Sequence, residues 1–428
     1  MRVFLALSWL LAGLFFTGAL SWAAESDVDR LLDLLVEKKV LTVDDATGFK
    51  ADLAVKKQEE KQPAATPDWV ANIKLKGDVR VRHEWDKNKG LQDNSRERIR
   101  ARLGLEGKAN NKFKAGIGIA TGLSSDPRSR DVTLGNSSTA NTPGAGKDII
   151  LDYAYGQFTP FSGLTLTAGK FQNNIWQPHD VFWKPDITPE GLGISFTRNF
   201  NSKLSWFVNE LYFVLKNDSR TDRQPFVNAL QPGLNYAVND QVNLKTAFAF
   251  YKFQYVTGSQ KYSYSKSGAS GYTSSGNTVA GGAYKYNYDS IQPSLELSAK
   301  NPFGGIVPFA SLFGDYVYNI AHVHPNTGRG AYDIGLKFGY EKVSDWAQWQ
   351  AKFVYEKLGR DSWLDIFTNN SRYGGVTNSR TFETAYEFGL GKNTSLLLRY
   401  YASQSLTKTS GARYAPEQVL QADWNLKF

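Results

Sequence analysis

Apolar and polar side chains alternate along most of this chain. From Trp69 onward, apolar residues occupy every second position of many short segments, as in residues 332–340 and 382–390. Successive side chains of a strand point to opposite faces, so this period of two predicts β-strands with one apolar face. Segments of about 9–11 residues recur, which is the length of a membrane-spanning strand. The alternation is weakest near residues 202–215 and 226–236.

The connections between these segments alternate between short and long. Tight turns are predicted at residues 109–111, 160–162, 200–202, 239–240, 301–303, 344–345 and 392–393. Longer polar connections are predicted near residues 86–94, 124–148, 171–189, 216–224, 257–286, 320–330, 359–378 and 406–415. Outer-membrane barrels combine short periplasmic turns with long external loops. Eight long connections predict an all-β transmembrane barrel of about sixteen antiparallel strands over residues 69–428, with fourteen or eighteen as alternatives.

The chain begins differently. Arg2 precedes an apolar run at residues 3–20, and small residues follow, so residues 1–24 are predicted to be a cleaved signal peptide. An uncleaved anchor helix is the alternative. Residues 25–60 show helical spacing and a possible capping box, which predicts a periplasmic helical hairpin joined to the barrel by a linker at 61–68. The hairpin either pairs with copies in neighbouring subunits or packs only on itself.

The last residues continue the alternation to the terminus. Trp424, Leu426 and Phe428 lie on one face of the predicted final strand. This ending resembles the terminal assembly signal of bacterial outer-membrane barrels, in which the last strand ends in Phe. The resemblance implies that these three side chains face outer-membrane lipid and are recognised by the barrel assembly machinery.

Composition supports a barrel and offers little other chemistry. Aromatic residues make up 14% of the 428 residues while the mean hydropathy is −0.41, a combination expected when only alternate residues meet lipid. Cysteine is absent, which excludes disulfides and thiolate metal sites. No catalytic grouping, cofactor site or metal site is predicted, and His322 with His324 lacks a carboxylate at a useful spacing. Export argues against nucleic-acid binding despite a net charge of +9.

A barrel of sixteen strands encloses an aqueous channel, so a passive porin is the leading interpretation. The residues opposite the apolar face of the first strands are mostly basic, and low-dielectric walls focus their potential, which predicts a preference for anionic solutes. Acidic residues on other walls could instead create a transverse field. The predicted pore-lining residues are Lys74, Lys76, Arg80, Arg82, Arg96, Arg98, Arg100, Arg102, Lys112 and Lys114, and the possible compensating acids are Glu296, Asp315, Glu356, Glu383 and Glu387.

One predicted loop carries a family resemblance. Residues 169–173 (Gly-Lys-Phe-Gln-Asn) lead to an Ile-Trp pair, Asp180, a Phe-Trp pair and Pro-Glu-Gly at 189–191. This stretch is similar to one in the bacterial "putative porin" family, although Asn174 replaces the common Pro and Lys184 replaces the common Asp. The resemblance covers residues 69–428 and implies a general porin of the Gram-negative outer membrane.

This loop is the third external loop of the predicted barrel. In general porins the third external loop folds inward and narrows the channel, and sixteen-stranded porins are trimers as a class. The resemblance therefore implies a homotrimer and a constriction formed by the loop. An external lid is the alternative position for this loop. The candidate constriction residues are Trp176, His179, Asp180, Trp183, Lys184, Asp186 and Glu190.

Two other functions are weighed against a passive porin. The barrel could be a sheath that holds a partner protein, such as an electron-transfer cytochrome, in its lumen. A barrel-type membrane enzyme is less favoured, because no Ser-His-carboxylate grouping is visible and the predicted barrel is wide. Solute flux through the purified protein distinguishes a porin from a sheath.

Overall fold

The computed structural model describes residues 32–60, 73–88, 93–135, 144–217, 223–262, 276–323, 327–407 and 416–428. The predicted signal peptide and linker lie outside these residues. The chain divides into two compact units, with the boundary between Ala71 and Asn72. None of the helices in the described part of the chain is long and apolar enough to cross a bilayer.

The first unit contains helical residues 32–37 and a helix at Val43–Glu60. Thr42 and Asp45 form the predicted capping box: the Thr42 hydroxyl accepts from the Asp45 backbone N–H at 3.2 Å, and the Asp45 carboxylate accepts from the Thr42 backbone N–H at 3.2 Å. Lys50 pairs with Asp33 of the preceding helical segment at 3.1 Å. Pairing with neighbouring subunits stays a prediction.

The second unit is a barrel. Sixteen strands of the described residues form its wall. They are β1 (Ile73–Asn88), β2 (Asn94–Lys108), β3 (Phe113–Thr121), β4 (Ile149–Phe158), β5 (Leu164–Lys170), β6 (Glu190–Asn199), β7 (Leu204–Val214), β8 (Phe226–Ala237), β9 (Val242–Gln254), β10 (Ser290–Lys300), β11 (Phe309–Asn319), β12 (Gly330–Gly339), β13 (Trp349–Leu358), β14 (Ser379–Gly391), β15 (Thr394–Ser405) and β16 (Glu417–Lys427).

Each strand pairs antiparallel with its neighbours in sequence, and β1 closes the barrel against β16. The closing register places Val81 opposite Trp424. Beyond it, the backbones of Gly77 and Phe428 exchange two hydrogen bonds of 3.0 Å. A closed sheet leaves no backbone edge for lipid to meet, which is the condition for a spanning sheet. The predicted closed barrel of sixteen strands is confirmed.

The barrel inverts the burial pattern of a soluble protein. On β16, outward-facing Trp424 and Leu426 are 50% and 39% exposed, whereas inward-facing Asp423 is fully buried. On β1, Val79 and Val81 are exposed while Arg82 is buried. Apolar side chains that lie exposed around the whole barrel suit a lipid environment, and the buried polar face surrounds the lumen.

Asparagine side chains stabilise three of the short turns. The side chains of Asn110, Asn201 and Asn239 each accept two backbone N–H groups at 2.7–3.0 Å, which is the Asx-turn bonding that favours Asn in turns. All seven short turns lie at the barrel end that also holds Phe428. The strand ends that the eight longer connections join lie at the other end, and only residues 89–93 separate β1 from β2 because these two strands are long.

Candidate functional site in the barrel lumen

Arginines of β1 and β2 face the lumen, next to the junction where β1 pairs with β16 and closes the barrel. The register places Arg80 opposite Arg100 and Arg82 opposite Arg98. Like charges directly opposite each other destabilise a sheet, so these pairs require compensating groups. We call the six arginines the basic wall; they are Arg80, Arg82, Arg96, Arg98, Arg100 and Arg102.

Carboxylates from four parts of the chain compensate the basic wall. From β1, Asp78 accepts from Arg100 at 2.7 Å, and Glu84 binds Arg96. From β16, Asp423 makes two hydrogen bonds of 2.6 and 2.8 Å with Arg82. The loops add Asp131, 3.6 Å from Arg82, and Asp186, 2.5 Å from Arg102. The arginines predicted from sequence as a basic ladder are therefore ion-paired, with five carboxylates facing six guanidinium groups.

The predicted lysines lie nearer the short turns. Lys76 and Lys114 both pair with Glu106, at 2.7 and 2.9 Å. Lys74 is exposed at the start of β1, and Lys112 lies in the turn before β3 and not on a strand. None of these four side chains belongs to the basic wall.

The third long connection, residues 171–189, packs as an aromatic layer against residues 359–378. Trp183 stacks on Phe367 with ring centroids 4.3 Å apart, and the indole N–H of Trp363 donates to the Phe182 carbonyl at 2.7 Å. All four aromatic side chains are at most 2% exposed. The same layer contacts lumen-facing residues of β9, including Phe253. This packing explains the aromatic density of the loop and keeps it against the barrel wall.

Polar residues of the third loop contact two sides of the lumen. Asp186 reaches Arg102 of the basic wall, whereas His179 stacks on Phe313 of β11 at 5.5 Å. Asp180 pairs with Arg372 at 2.8 Å, and Lys184 donates to the Asn369 side chain at 2.9 Å. The loop therefore spans the distance between the basic wall and β11.

Burial and neighbouring charges shift the pKa values of these loop groups. Burial, with help from the charge of Lys352, lowers the pKa of His179 to about 3. Burial also lowers the pKa of Lys184 to about 8. Burial raises the pKa of Asp186, but the charges of Lys184 and Arg102 lower it more, so the net pKa lies below its usual value. At neutral pH the imidazole is neutral and the Asp186 carboxylate is charged.

The two remaining candidates of the loop lie apart from this group. Trp176 packs edge-on against Phe207 at 6.5 Å, and Lys245 lies over its ring at 4.4 Å. Glu190 is the exposed first residue of β6 and pairs with Lys170 at 2.9 Å. The structure thus brings five of the seven predicted loop residues into one packed region and leaves Trp176 and Glu190 outside it.

A cavity of about 900 Å³ lies between the third loop and the lumen-facing side of β6–β9. Its size is that of a small-molecule site. Amide, aromatic and lysine side chains form its lining, among them Asn174, Trp176, Phe207, Asn209, Asn235 and Lys245. Trp176 was predicted from the sequence as a constriction residue, and Asn174 lies in the same loop. Sequence reasoning missed the other four because they come from three strands, although each lies at a lumen-facing alternate position.

An acidic wall lies on β11–β14. Asp315, Asp333, Glu356 and Glu383 face the lumen and are at most 3% exposed. Three of these acids were considered in the sequence as possible compensation for the basic residues, and Asp333 was missed even though it alternates with apolar Tyr332 and Ile334.

The histidine pair noted in the sequence is only partly described. His322 lies in the loop after β11, and His324 falls outside the described residues.

Known proteins resemble this chain in sequence pattern and in fold. A family model described as "Putative porin" matches residues 87–287 and 272–428. The solved structure of Pseudomonas putida OprB is 12% identical, with a TM-score of 0.52 over 83% of this chain and 94% of that one. A triple mutant of the Rhodopseudomonas blastica porin is 12% identical, with a TM-score of 0.43 over 83% of this chain and all of that one. No curated protein matches the sequence. The structural likeness to OprB agrees with the barrel fold.

Proposed function

The chain belongs to the "Putative porin" family and is an outer-membrane porin, and we propose that it conducts small hydrophilic solutes by passive diffusion with a preference for anions. The passage runs between the basic wall and the third loop. The sequence predicts seven loop residues at the constriction: Trp176, His179, Asp180, Trp183, Lys184, Asp186 and Glu190. Of these, Lys184 and Asp186 form the side of the constriction that the loop contributes, because Asp186 contacts the basic wall.

The observation that carries the anion preference is the unequal exposure of the paired charges. Four arginine side chains are 14–24% exposed, whereas their carboxylate partners Asp131, Asp423, Glu84 and Asp186 are at most 8% exposed; the arginines are Arg80, Arg96, Arg98 and Arg102. The reverse holds for Arg100, which is 12% exposed beside Asp78 at 18%. Mobile ions therefore meet guanidinium groups first. A charge that is nearer to an ion and less screened dominates the local potential.

The acidic wall does not cancel the anion preference in the passage between the basic wall and the third loop. Its carboxylates are buried beneath the third loop and Arg372, which pairs with Glu356 at 3.2 Å. On the cavity side, Lys245 and Lys352 contribute positive charge to the lining. Ion pairing nevertheless makes the expected preference smaller than six unpaired arginines would produce.

The test is a reversal-potential measurement in planar bilayers that contain the purified protein. A tenfold KCl gradient is suitable because K⁺ and Cl⁻ have similar mobilities in water. We expect the potential to have the sign of chloride permeation, and to approach zero at high salt as screening increases. A potential of zero or of the potassium sign in dilute KCl contradicts the proposed anion preference.

We also propose that the porin assembles as a homotrimer, with β5 at the contact between subunits. This strand has only seven residues. At roughly 3.3 Å per residue and a tilt of about 40°, it rises about 18 Å, less than the ~25 Å apolar band of such barrels. A neighbouring subunit would cover the short sector, and cyclic symmetry about the membrane normal allows three copies to do so.

Single-cysteine variants test this assembly cleanly because the chain has no cysteine. We expect Leu166→Cys on β5 to be protected from a membrane-permeant maleimide. Leu297→Cys, which lies on the outer face of β10, is the matched control and is expected to react. Equal labelling of both variants, together with monomers only after cross-linking, refutes the trimer.

Export to the outer membrane is proposed to use residues 1–24 as a cleaved signal peptide, with insertion by the barrel assembly machinery. The intact mass of the mature protein tests the cleavage position. A chain that retains residues 1–24 in the membrane contradicts this proposal and favours an anchor helix.

Within the described residues, the contents of the lumen do not support the interpretation of the barrel as a sheath around a partner protein. A partner domain would have to displace the packed layer around Trp183, Trp363 and Phe367, all of which are buried. The family and the fold indicate a channel and not an enzyme.

A further inference from the structure

Two basic side chains lie opposite each other on the outer face of the barrel, near the end that carries the long connections. The register places Lys357 of β13 opposite Arg380 of β14, one outward-facing row beyond the aromatic pair Tyr355 and Phe382. Both basic side chains are exposed. Like charges directly opposite each other destabilise a sheet, so this pair requires a compensating group.

The protein itself does not provide a negative charge for this pair. Among the described residues, neither Lys357 nor Arg380 has a carboxylate within ion-pair distance. The Gln404 amide of β15, with its oxygen towards Arg380, accepts from Nε and Nη2 at 2.5 Å. An amide orients the guanidinium but does not neutralise it. The acids of the adjoining loop, Asp361 and Asp365, are at most 7% exposed and bind the fifth long connection instead.

Outward-facing lysines in other sectors at this end of the barrel do have acidic partners. Lys252 of β9 binds Asp289, and Lys170 of β5 pairs with Glu190 at 2.9 Å. By contrast, the connection between β15 and β16, residues 408–415, contains a lysine and an arginine but no Asp or Glu. The sector from β13 to β16 therefore lacks the compensation that the other lysines receive.

A groove of about 360 Å³ lies beside the basic pair on the outer face. Ala402 of β15 lies between Phe382 and Gln418 in one row of the sheet, so its small side chain leaves space between larger neighbours. Lys87 of β1 continues the same row beyond Gln418. The groove combines an apolar part with a polar end, and its lining includes Tyr355, Phe382, Ala402, Arg380, Gln404 and Gln418.

The position of the groove relates it to the lipid headgroups. The row of Phe382 and Ala402 lies two residues deeper than the row of Arg380 and Gln404, which is about 7 Å along a strand. In outer-membrane barrels the end with the long loops is external. In addition, β13 lies eight strands from β5 in the closed barrel of sixteen, so this sector faces away from the proposed subunit contact.

We propose that this groove binds a phosphate-bearing lipid of the outer leaflet. Its phosphate lies between Lys357 and Arg380, and an acyl chain packs against Phe382 and Ala402. Phosphate suits the planar guanidinium fork and also accepts from lysine, so one headgroup compensates both charges. The long basic side chains reach headgroup level while their stems cover apolar surface. A soluble anion would contact the two charges but leave the apolar row beneath them unoccupied.

The test measures lipid bound to the purified full-length mature barrel by native mass spectrometry, with lipid A as the probe. Dephosphorylated lipid A, which keeps the acyl chains, is expected to bind at least about tenfold more weakly, because charge-assisted hydrogen bonds are lost. The double variant Lys357→Gln/Arg380→Gln is expected to lose lipid A binding by a similar factor. Ala402→Leu fills the groove without a change in charge and is also expected to weaken binding.

The matched control is Lys252→Gln, which removes an outward-facing positive charge at the same end of the barrel and is expected to bind lipid A as the wild type does. Asp289 keeps a hydrogen bond of 2.8 Å from the Phe253 backbone N–H in this variant. A folding defect is distinguishable from loss of the lipid contact. Without lipid, the double variant removes repulsion between opposed charges, so its Tm is expected to equal or exceed that of the wild type.

Four results overturn the proposal. They are equal binding of lipid A and its dephosphorylated form, wild-type binding by the double variant, wild-type binding by Ala402→Leu, and an equal loss of binding in Lys252→Gln. Disulfide-linked dimers of Gln404→Cys in outer membranes also overturn it, because a second copy of the chain then occupies this sector. These readouts do not depend on ion conduction.

Discussion

Asp78 and Arg100 offer a paired test of how the basic wall controls permeation. Arg100 makes hydrogen bonds of 2.7 and 3.0 Å to one oxygen of Asp78, and both side chains are less than 20% exposed. Asp78→Asn adds one unit of positive charge to the wall, whereas Arg100→Gln removes one. Both substitutions retain a polar side chain, so the two variants differ mainly in the sign of the change.

The size of the effect follows from Coulomb's law. An ion about 4 Å from a changed unit charge gains or loses about 1 kcal/mol in bulk water and about 4 kcal/mol at an effective dielectric constant of 20. Because about 1.4 kcal/mol is a tenfold change in an equilibrium, the lower value corresponds to about fivefold. The changed charge acts on chloride and potassium with opposite signs, so the two factors multiply. We therefore expect the chloride-to-potassium permeability ratio to rise about 25-fold in Asp78→Asn and to fall by a similar factor in Arg100→Gln at low salt.

Reversal potentials in dilute and concentrated KCl provide the measurement, and heat-modifiable gel migration confirms that each variant is folded. Asp126→Asn is the control, since the Asp126 carboxylate pairs with Arg128 of its own loop, which is not one of the six arginines of the basic wall. Shifts of the same sign in both variants, or shifts no larger than that of Asp126→Asn, refute control by the basic wall. The difference is expected to shrink in concentrated salt, where the Debye length is only a few ångströms.

Three further results are expected. Because the pKa of Lys184 is about 8, anion preference should fall as pH rises from 7 to 9, and Lys184→Met should remove this dependence in bilayer recordings. Gly118→Ala should lower the Tm, since the added Cβ would lie 2.3 Å from the Tyr153 ring, whereas Gly156→Ala, whose Cβ would meet nothing within 4 Å, should not. Deletion of Phe428 removes its two backbone hydrogen bonds to β1 and should reduce the fraction of folded barrel in outer membranes; normal amounts would exclude an assembly role.

The sequence determined the barrel because the relevant signals are local. A period of two assigns each side chain to lipid or lumen without knowledge of its partner strand. Asn110, Asn201 and Asn239 form turns by binding backbone groups only two or three residues away. The capping box at Thr42 and Asp45 is equally local. Strand number, turn positions and the outward face of β16 could therefore be predicted.

The charge state of the lumen was decided only by the tertiary structure. The sequence showed six arginines on two strands, but Asp423 reaches Arg82 because β16 closes the barrel more than three hundred residues later. Asp186 reaches Arg102 only because the third loop packs against the wall. Likewise, His179 meets Asp333 across more than one hundred and fifty residues. Alternation shows which face a side chain occupies, but strand register and loop packing decide which charges meet there, and Coulomb energy depends on those distances.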